Sequence, residues 1–175
     1  MRVLGLSGSL RAASVHTALL HAAAQTAPDD VEMTIFGGLD NLPHFNPDLE
    51  DQKFDSVTAF RAALKDSAAV LIACPEYAHG LPGAFKNALD LVVGSGDLSG
   101  KPVLALHTSV RSIHAPAQLA EVLRTMDARV LDAVLIEVPR RAVGVDSVLE
   151  GPGVTEALEV MWRSLQAAEN SGAPG

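Results

Sequence analysis

Apolar residues gather along this chain in five short blocks, Val3 to Leu6, Val31 to Phe36, Ala68 to Cys74, Pro102 to His107 and Val130 to Val138, rich in Val, Ile and Leu. Continuous runs of this length read as strands buried on both faces, as in a parallel sheet. Between the blocks the apolar positions change to a three-and-four spacing. Val15, Ala18, Leu19 and Ala22 come first, then Phe54, Val57, Phe60 and Leu64. Phe85, Ala88, Leu89 and Val92 form a third set, and Leu119, Val122, Leu123 and Met126 a fourth. After the last block stand Val154, Ala157, Leu158, Met161 and Leu165. This is the spacing of helices with one buried stripe. The pattern predicts strand and helix alternating five times, hence right-handed crossovers and a three-layer α/β sandwich around a five-stranded parallel sheet.

A flavodoxin-like strand order, 2-1-3-4-5, would set a ligand crevice at the carboxyl ends of strands one and three. The loops after residues 6 and 74 therefore carry the functional question. Residues 37–52 form a long connection rich in Gly, Pro and Asn, a length that in compact domains goes with function or mobility. The 175 residues fit one domain, placed at 1–168, with 169–175 expected as a disordered tail.

Charge narrows the partners. With 13 Lys and Arg against 21 Asp and Glu, and a net charge of -8, the chain lacks the dense cationic surface that holds nucleic acid. No apolar run reaches membrane-spanning length. The N-terminus enters the first strand without the ordered regions of a signal peptide, which predicts a cytoplasmic protein. The one cysteine, Cys74, ends an apolar run and reads as a buried inert thiol.

Against this acidic background the stretch GLSGSLRAAS, residues 5–14, is notable for small hydroxyl residues, one arginine and no carboxylate. A strand, such a loop, and a helix starting near Ser14 make an anion site, because free N–H groups and the helix dipole both favour negative charge. Ser7, Ser9 and Ser14 would add hydroxyl donors and Arg11 a charge, suiting a phosphate monoester. Ser14 also reads as a plain helix N-cap and Arg11 as a solvated charge. His16 either faces the phosphate or is an exposed first-turn residue. Neither G-x-x-x-x-G-K-[ST], nor G-x-G-x-x-G, nor the nucleophile elbow G-x-S-x-G is present, so a phosphoester hydrolase finds no support.

The run Gly8-Ser9-Leu10-Arg11-Ala12-Ala13-Ser14 resembles the G-S-L-R-x-x-S phosphate loop of the NADPH-dependent FMN reductase family, flavodoxin-like enzymes that include quinone, chromate and azo-dye reductases. His16 stands where many members have Asn. PEYAHGLPGAFKNALD, residues 75–90, resembles the family's second motif, P-E-Y-N-x-x-x-P-G-x-x-K-N-A-x-D, with Ala78 in place of Asn. The resemblance implies FMN held by Ser9, Leu10, Arg11, Ser14 and His16 at the phosphate. Around ribityl and ring it implies Pro75, Glu76, Tyr77, Ala78, His79 and Gly80, with Thr108 and Ser109 from the fourth loop. Glu76 is expected as a positioning residue, and Lys86 with Asp90 as an ion pair four apart on one helix face.

In the fourth loop, residues 107–119, many relatives carry a glycine-rich run where this chain has Ser109, Arg111 and His114. Arg111 and His114 are weaker candidates for NADPH phosphate or substrate. No metal site is expected: neither His16 with His21 nor His107 with His114 has the H-E-x-x-H spacing.

The resemblance implies an FMN-dependent oxidoreductase that takes hydride from NADPH or NADH. It would pass electrons to a small-molecule acceptor such as a quinone, free flavin, azo compound or metal oxyanion. The flavin carries that chemistry, so no catalytic side chain is expected. A homodimer or homotetramer is implied, with neighbouring subunits walling the site. The alternative is a flavodoxin-like module that binds FMN or another phosphate ester without turnover.

Overall fold

The computed structural model describes all residues except 50, 51, 139–141, 143 and 173–175. The order is β1 (Arg2–Ser7), α1 (Val15–Gln25), β2 (Glu32–Phe36), α2 (Asp55–Asp66), β3 (Ala69–Ala73), α3 (Gly83–Asp90), β4 (Pro102–His107), α4 (His114–Thr125), β5 (Arg129–Val130), β6 (Val134–Leu135), α5 (Val145–Leu149) and α6 (Val154–Gly172). The strands pair in parallel in the order β2-β1-β3-β4-β5, with β6 also on β4, giving the expected 2-1-3-4-5 arrangement.

Alternation along the strands sorts the core into two layers. Val3, Leu71, Leu104 and Leu106 face α1 and α6, where Leu19, Leu158, Met161 and Trp162 close the packing. Leu4, Leu6, Val70, Ile72 and Val103 face Phe60 and Leu64 of α2, Phe85 and Leu89 of α3, and Leu119 and Leu123 of α4. Every residue of central β3 is buried on both faces, which is why its sequence is uniformly apolar.

The chain departs from expectation at the fifth block, at the C-terminus and in the additional short helix α5. The fifth block forms two short pieces instead of one strand from Val130 to Val138. Val103 pairs with Val130 and Leu106 with Val134, so four steps on the outer strand oppose three on β4, and the extra residue breaks the ladder as a bulge does. At the C-terminus α6 runs to Gly172, so 169–172 are helical and not a disordered tail, while 173–175 lie outside the described residues.

The long connection after β2 contains two single turns, Leu39–Asn41 and Pro47–Leu49. It is tied to α3 by Asn87, whose Nδ2 donates to Pro43 O at 2.9 Å and whose Oδ1 accepts from Phe45 N at 2.8 Å. Lys86 and Asp90 form the expected i,i+4 pair, 2.6 Å apart.

Candidate functional site

The loops after β1, β3 and β4 meet at the carboxyl edge of the sheet. The first turns sharply because Ser7, Ser9 and Ser14 bond locally. Ser7 Oγ lies 2.7 Å from Thr17 Oγ1, Ser9 Oγ accepts from Arg11 N at 3.3 Å, and Ser14 Oγ accepts from Thr17 N at 3.3 Å. Ser14 is therefore the N-cap of α1, with extended backbone. Both loop hydroxyls, Ser9 and Ser14, are buried, and each retains an O–H to donate. Leu10 and Arg11 are exposed at the tip, and among the described residues Arg11 makes no ion pair. An unpaired guanidinium beside an open helix N-terminus is suited to a phosphate.

Gly8 is where the first loop crosses the third. Its N–H donates to Ala73 O at 2.9 Å, and a Cβ on it would lie 2.4 Å from Cys74 Sγ. Only glycine allows that approach. Burial pushes the Cys74 thiol up to about 12, so it stays protonated and inert, as its sequence context suggested.

Beyond the buried Pro75 the third loop makes a tight two-residue turn. Tyr77 N donates to Gly80 O and Gly80 N to Tyr77 O, both at 3.0 Å. The two residues at its tip, Ala78 and His79, have φ of 49° and 59°, the left-handed region that asparagine and glycine adopt more readily. Two clamps fix this turn to α4. Glu76 Oε2 accepts from His114 N at 2.8 Å and Ala115 N at 2.9 Å, capping the helix, and Gln118 Oε1 accepts from Leu81 N at 2.8 Å. The hydrogen bond from Ala115 holds the Glu76 carboxyl below the usual range, that from His114 adds to it, and burial opposes both. Glu76 is thus a positioning residue, while Tyr77 is exposed at the crevice.

His16 is half-buried in the first turn of α1 and not exposed there. Its Nε2 lies 3.3 Å from Thr108 Oγ1, joining α1 to the fourth loop. Burial, with repulsion from His107 adding to it, pushes the ring down to about 4. It is neutral at neutral pH and has only a hydrogen bond to offer. Ser109 Oγ accepts from Arg111 N at 3.1 Å, and Arg111 itself is exposed.

His114 does not stand alone on the rim. Its ring stacks on that of His79, with centroids 4.4 Å apart and planes 24° apart. Ligand atoms of Glu76, His79 and His114 all lie within 4.8 Å of one another. The sequence reading did not combine these residues, because it paired histidines by local spacing. The available signal was topological: the loops of adjacent strands β3 and β4 must be neighbours.

A doubly wound α/β domain with an anion loop at its switch point is the frame of a mononucleotide-binding protein. Residues 1–141 match the NADPH-dependent FMN reductases, and the chain belongs to that family of FMN- and NAD(P)H-dependent oxidoreductases. It is 28% identical over 174 residues to an NAD(P)H-dependent FMN reductase of Pseudomonas aeruginosa, covering 95% of this chain and 94% of the relative. With a quinone reductase of Escherichia coli it shares 28% over 163 residues, 91% of this chain and 86% of the relative. A 2-hydroxy-1,4-benzoquinone reductase of Burkholderia is 34% identical over 116 residues, 65% of this chain, and the match spans only 63% of that relative's length.

In fold the chain is similar to FerB, a flavoenzyme NAD(P)H:(acceptor) oxidoreductase of Paracoccus denitrificans, with a TM-score of 0.84, 24% identity and 98% of each chain covered. A flavodoxin-like protein of Agrobacterium tumefaciens described as WrbA-like follows with a TM-score of 0.62, 14% identity and 97% of each chain. Among the described residues no helix is long and apolar enough to cross a membrane.

Proposed function

We propose that this protein is an FMN-dependent NAD(P)H oxidoreductase acting on small quinone-type acceptors in the cytoplasm, without a nucleic-acid partner. The observation that carries the reading is the crossing at Gly8, which sets the serine and arginine loop of β1 against the Pro75 to Gly80 turn of β3. Ser9, Ser14, the first-turn N–H groups of α1 and Arg11 would hold the FMN phosphate. Leu10, Thr108 and Ser109 would flank the ribityl chain. Glu76 sets the position of the turn. The backbone of Tyr77, Ala78, His79 and Gly80 would border the ring.

Bound FMN supplies hydride acceptance from nicotinamide and electron delivery to the acceptor. The protein's own part is to anchor the phosphate, hold the turn rigid through Glu76 and Gln118, and keep His16 neutral so that the site's positive charge is confined to Arg11 and the helix terminus. Arg111, exposed on the fourth loop, would meet the phosphate of NADPH. Leu10, Tyr77, Val110 and Ile113 expose large apolar side chains on these same loops, which suits a homodimer or homotetramer in which a second subunit closes the crevice.

The test is an FMN titration of the purified protein, followed anaerobically by NADPH and separately by NADH. Flavin binding with bleaching, and oxidation on adding a quinone, is the expected result. Binding without bleaching by either nucleotide would replace the enzyme with a flavin-binding module, and no binding would refute both.

A further inference from the structure

We propose that Glu76, His79 and His114 form a binding site for one divalent transition-metal ion of zinc-like softness, on the rim of the crevice. The proposal stands independently of flavin binding, since its three ligands are already gathered by the fold. Two imidazoles and a carboxylate are a donor set that suits zinc, cobalt and nickel.

Glu76 is the fixed corner. Its Oε2 is held by two amides of α4, and among the described residues its Oε1 makes no hydrogen bond, leaving lone pairs for an ion. The carboxylate also offsets the positive end of the α4 dipole, which would otherwise repel a cation. His79 is delivered by the left-handed turn that Tyr77 and Gly80 close, and His114 is the first residue of α4. The two rings come from loops 35 positions apart yet lie face to face at 4.4 Å, and joint ligation has them swing from this stack until their in-plane nitrogen lone pairs converge.

Donors around a tetrahedral ion with bonds of about 2.0–2.1 Å stand about 3.4 Å apart. The donor atoms lie within 4.8 Å of one another, so closing to that spacing shortens any donor separation by at most about 1.4 Å. Both histidines are exposed and free to swing, whereas Glu76 need not move.

The test is calorimetric titration of zinc chloride into the protein, run once saturated with FMN and once without it. One zinc per chain is expected, with His79→Ala and His114→Ala each weakening it by about ten-fold or more. Glu76→Gln should weaken zinc similarly while its amide oxygen still caps α4, so its thermal unfolding should stay near that of the parent. His21→Ala, which removes an exposed histidine on α1, should bind like the parent. Absence of saturable zinc binding, or binding unchanged in both rim variants, or binding lost on His21→Ala, would overturn the proposal. Failure of FMN to bind would leave the zinc result readable, because the flavin-free titration decides it.

Discussion

Replacing Gly8 by alanine tests whether the crossing of two loops sets the site. The added Cβ would meet Cys74 Sγ at 2.4 Å, Cys74 Cβ at 3.0 Å and Cys74 Cα at 3.1 Å. Ordinary contact between such atoms is about 3.5–4.0 Å. The sulfur escapes by rotation about χ1, but Cα and Cβ move only with the backbone, so the two loops must part by roughly 0.5 Å. Gly8 lies outside the left-handed region, so alanine carries no dihedral strain and the effect is purely steric.

Overpacking of this kind costs about 2–3 kcal/mol. For a domain of this size that lowers the melting temperature by roughly 4–12 °C. Urea unfolding of Gly8→Ala, Cys74→Ala and the pair would measure it. Removing Sγ relieves the shortest contact and leaves the other two, so the cycle should return about 1 kcal/mol of favourable coupling. FMN affinity should fall in the single variant and recover in part in the double. A Gly8→Ala protein within about 0.5 kcal/mol of the parent, the ordinary range of a surface change, would refute the crossing as a constraint. Additive single effects would refute the role of Cys74.

Arg11→Ala should weaken FMN by about 10- to 100-fold, the worth of one charge-assisted hydrogen bond, and leave riboflavin nearly unaffected; equal weakening of both would remove the phosphate from Arg11. His16 binds its proton less readily folded than unfolded, so its contribution to stability is complete above about pH 6.5 and is lost as pH falls toward 4. The loss is at most about 3 kcal/mol. In His16→Asn the slope of unfolding free energy over that interval should flatten relative to the parent, the remainder reflecting His107, which burial shifts the same way, and at the acid end Glu76 and Asp97, whose carboxyls are held low. An undiminished slope would contradict the burial of His16. Ala78→Asn, placing a residue tolerant of φ 49° at the tip of the turn, should stabilise by about 0.5–1 kcal/mol. Destabilisation in a melting experiment would show that the turn relaxes without it.

Strand blocks and helix stripes were legible in the sequence because burial on both faces leaves a continuous apolar signature, and β3, AVLIA, is its clearest case. The fifth position was less so. Apolar composition runs unbroken from Val130 to Val138, and the extra residue that splits the ladder has no chemical mark of its own. The turn after β1 could be read because it depends on local order, small residues between a strand and a capped helix. The surroundings of His16 were not legible for the opposite reason: its partner Thr108 lies 92 residues away, and only the packing of the fourth loop on α1 decides its environment. The rim trio was invisible in the same sense, since no spacing rule joins His79 to His114.

These differences share a cause in the topology. A parallel sheet sends every βα loop to one edge, so residues distant in sequence converge there, and their mutual contacts determine what each can do. Glu76 illustrates the consequence. As a lone carboxylate after a strand it invites a catalytic reading, but two amides of α4 engage one oxygen and hold it ionised, so it makes a poor proton donor at neutral pH. Its effect is to lock the β3 turn to the β4 helix, together with Gln118 and Leu81. The turn itself has unfavourable dihedrals at Ala78 and His79, and that strain is sustained because clamps on both sides leave the backbone no other path. Under the proposed function, a rigid turn beside the loop after β1, bordered by exposed Tyr77, Val110 and Ile113, would give a planar ring a defined edge.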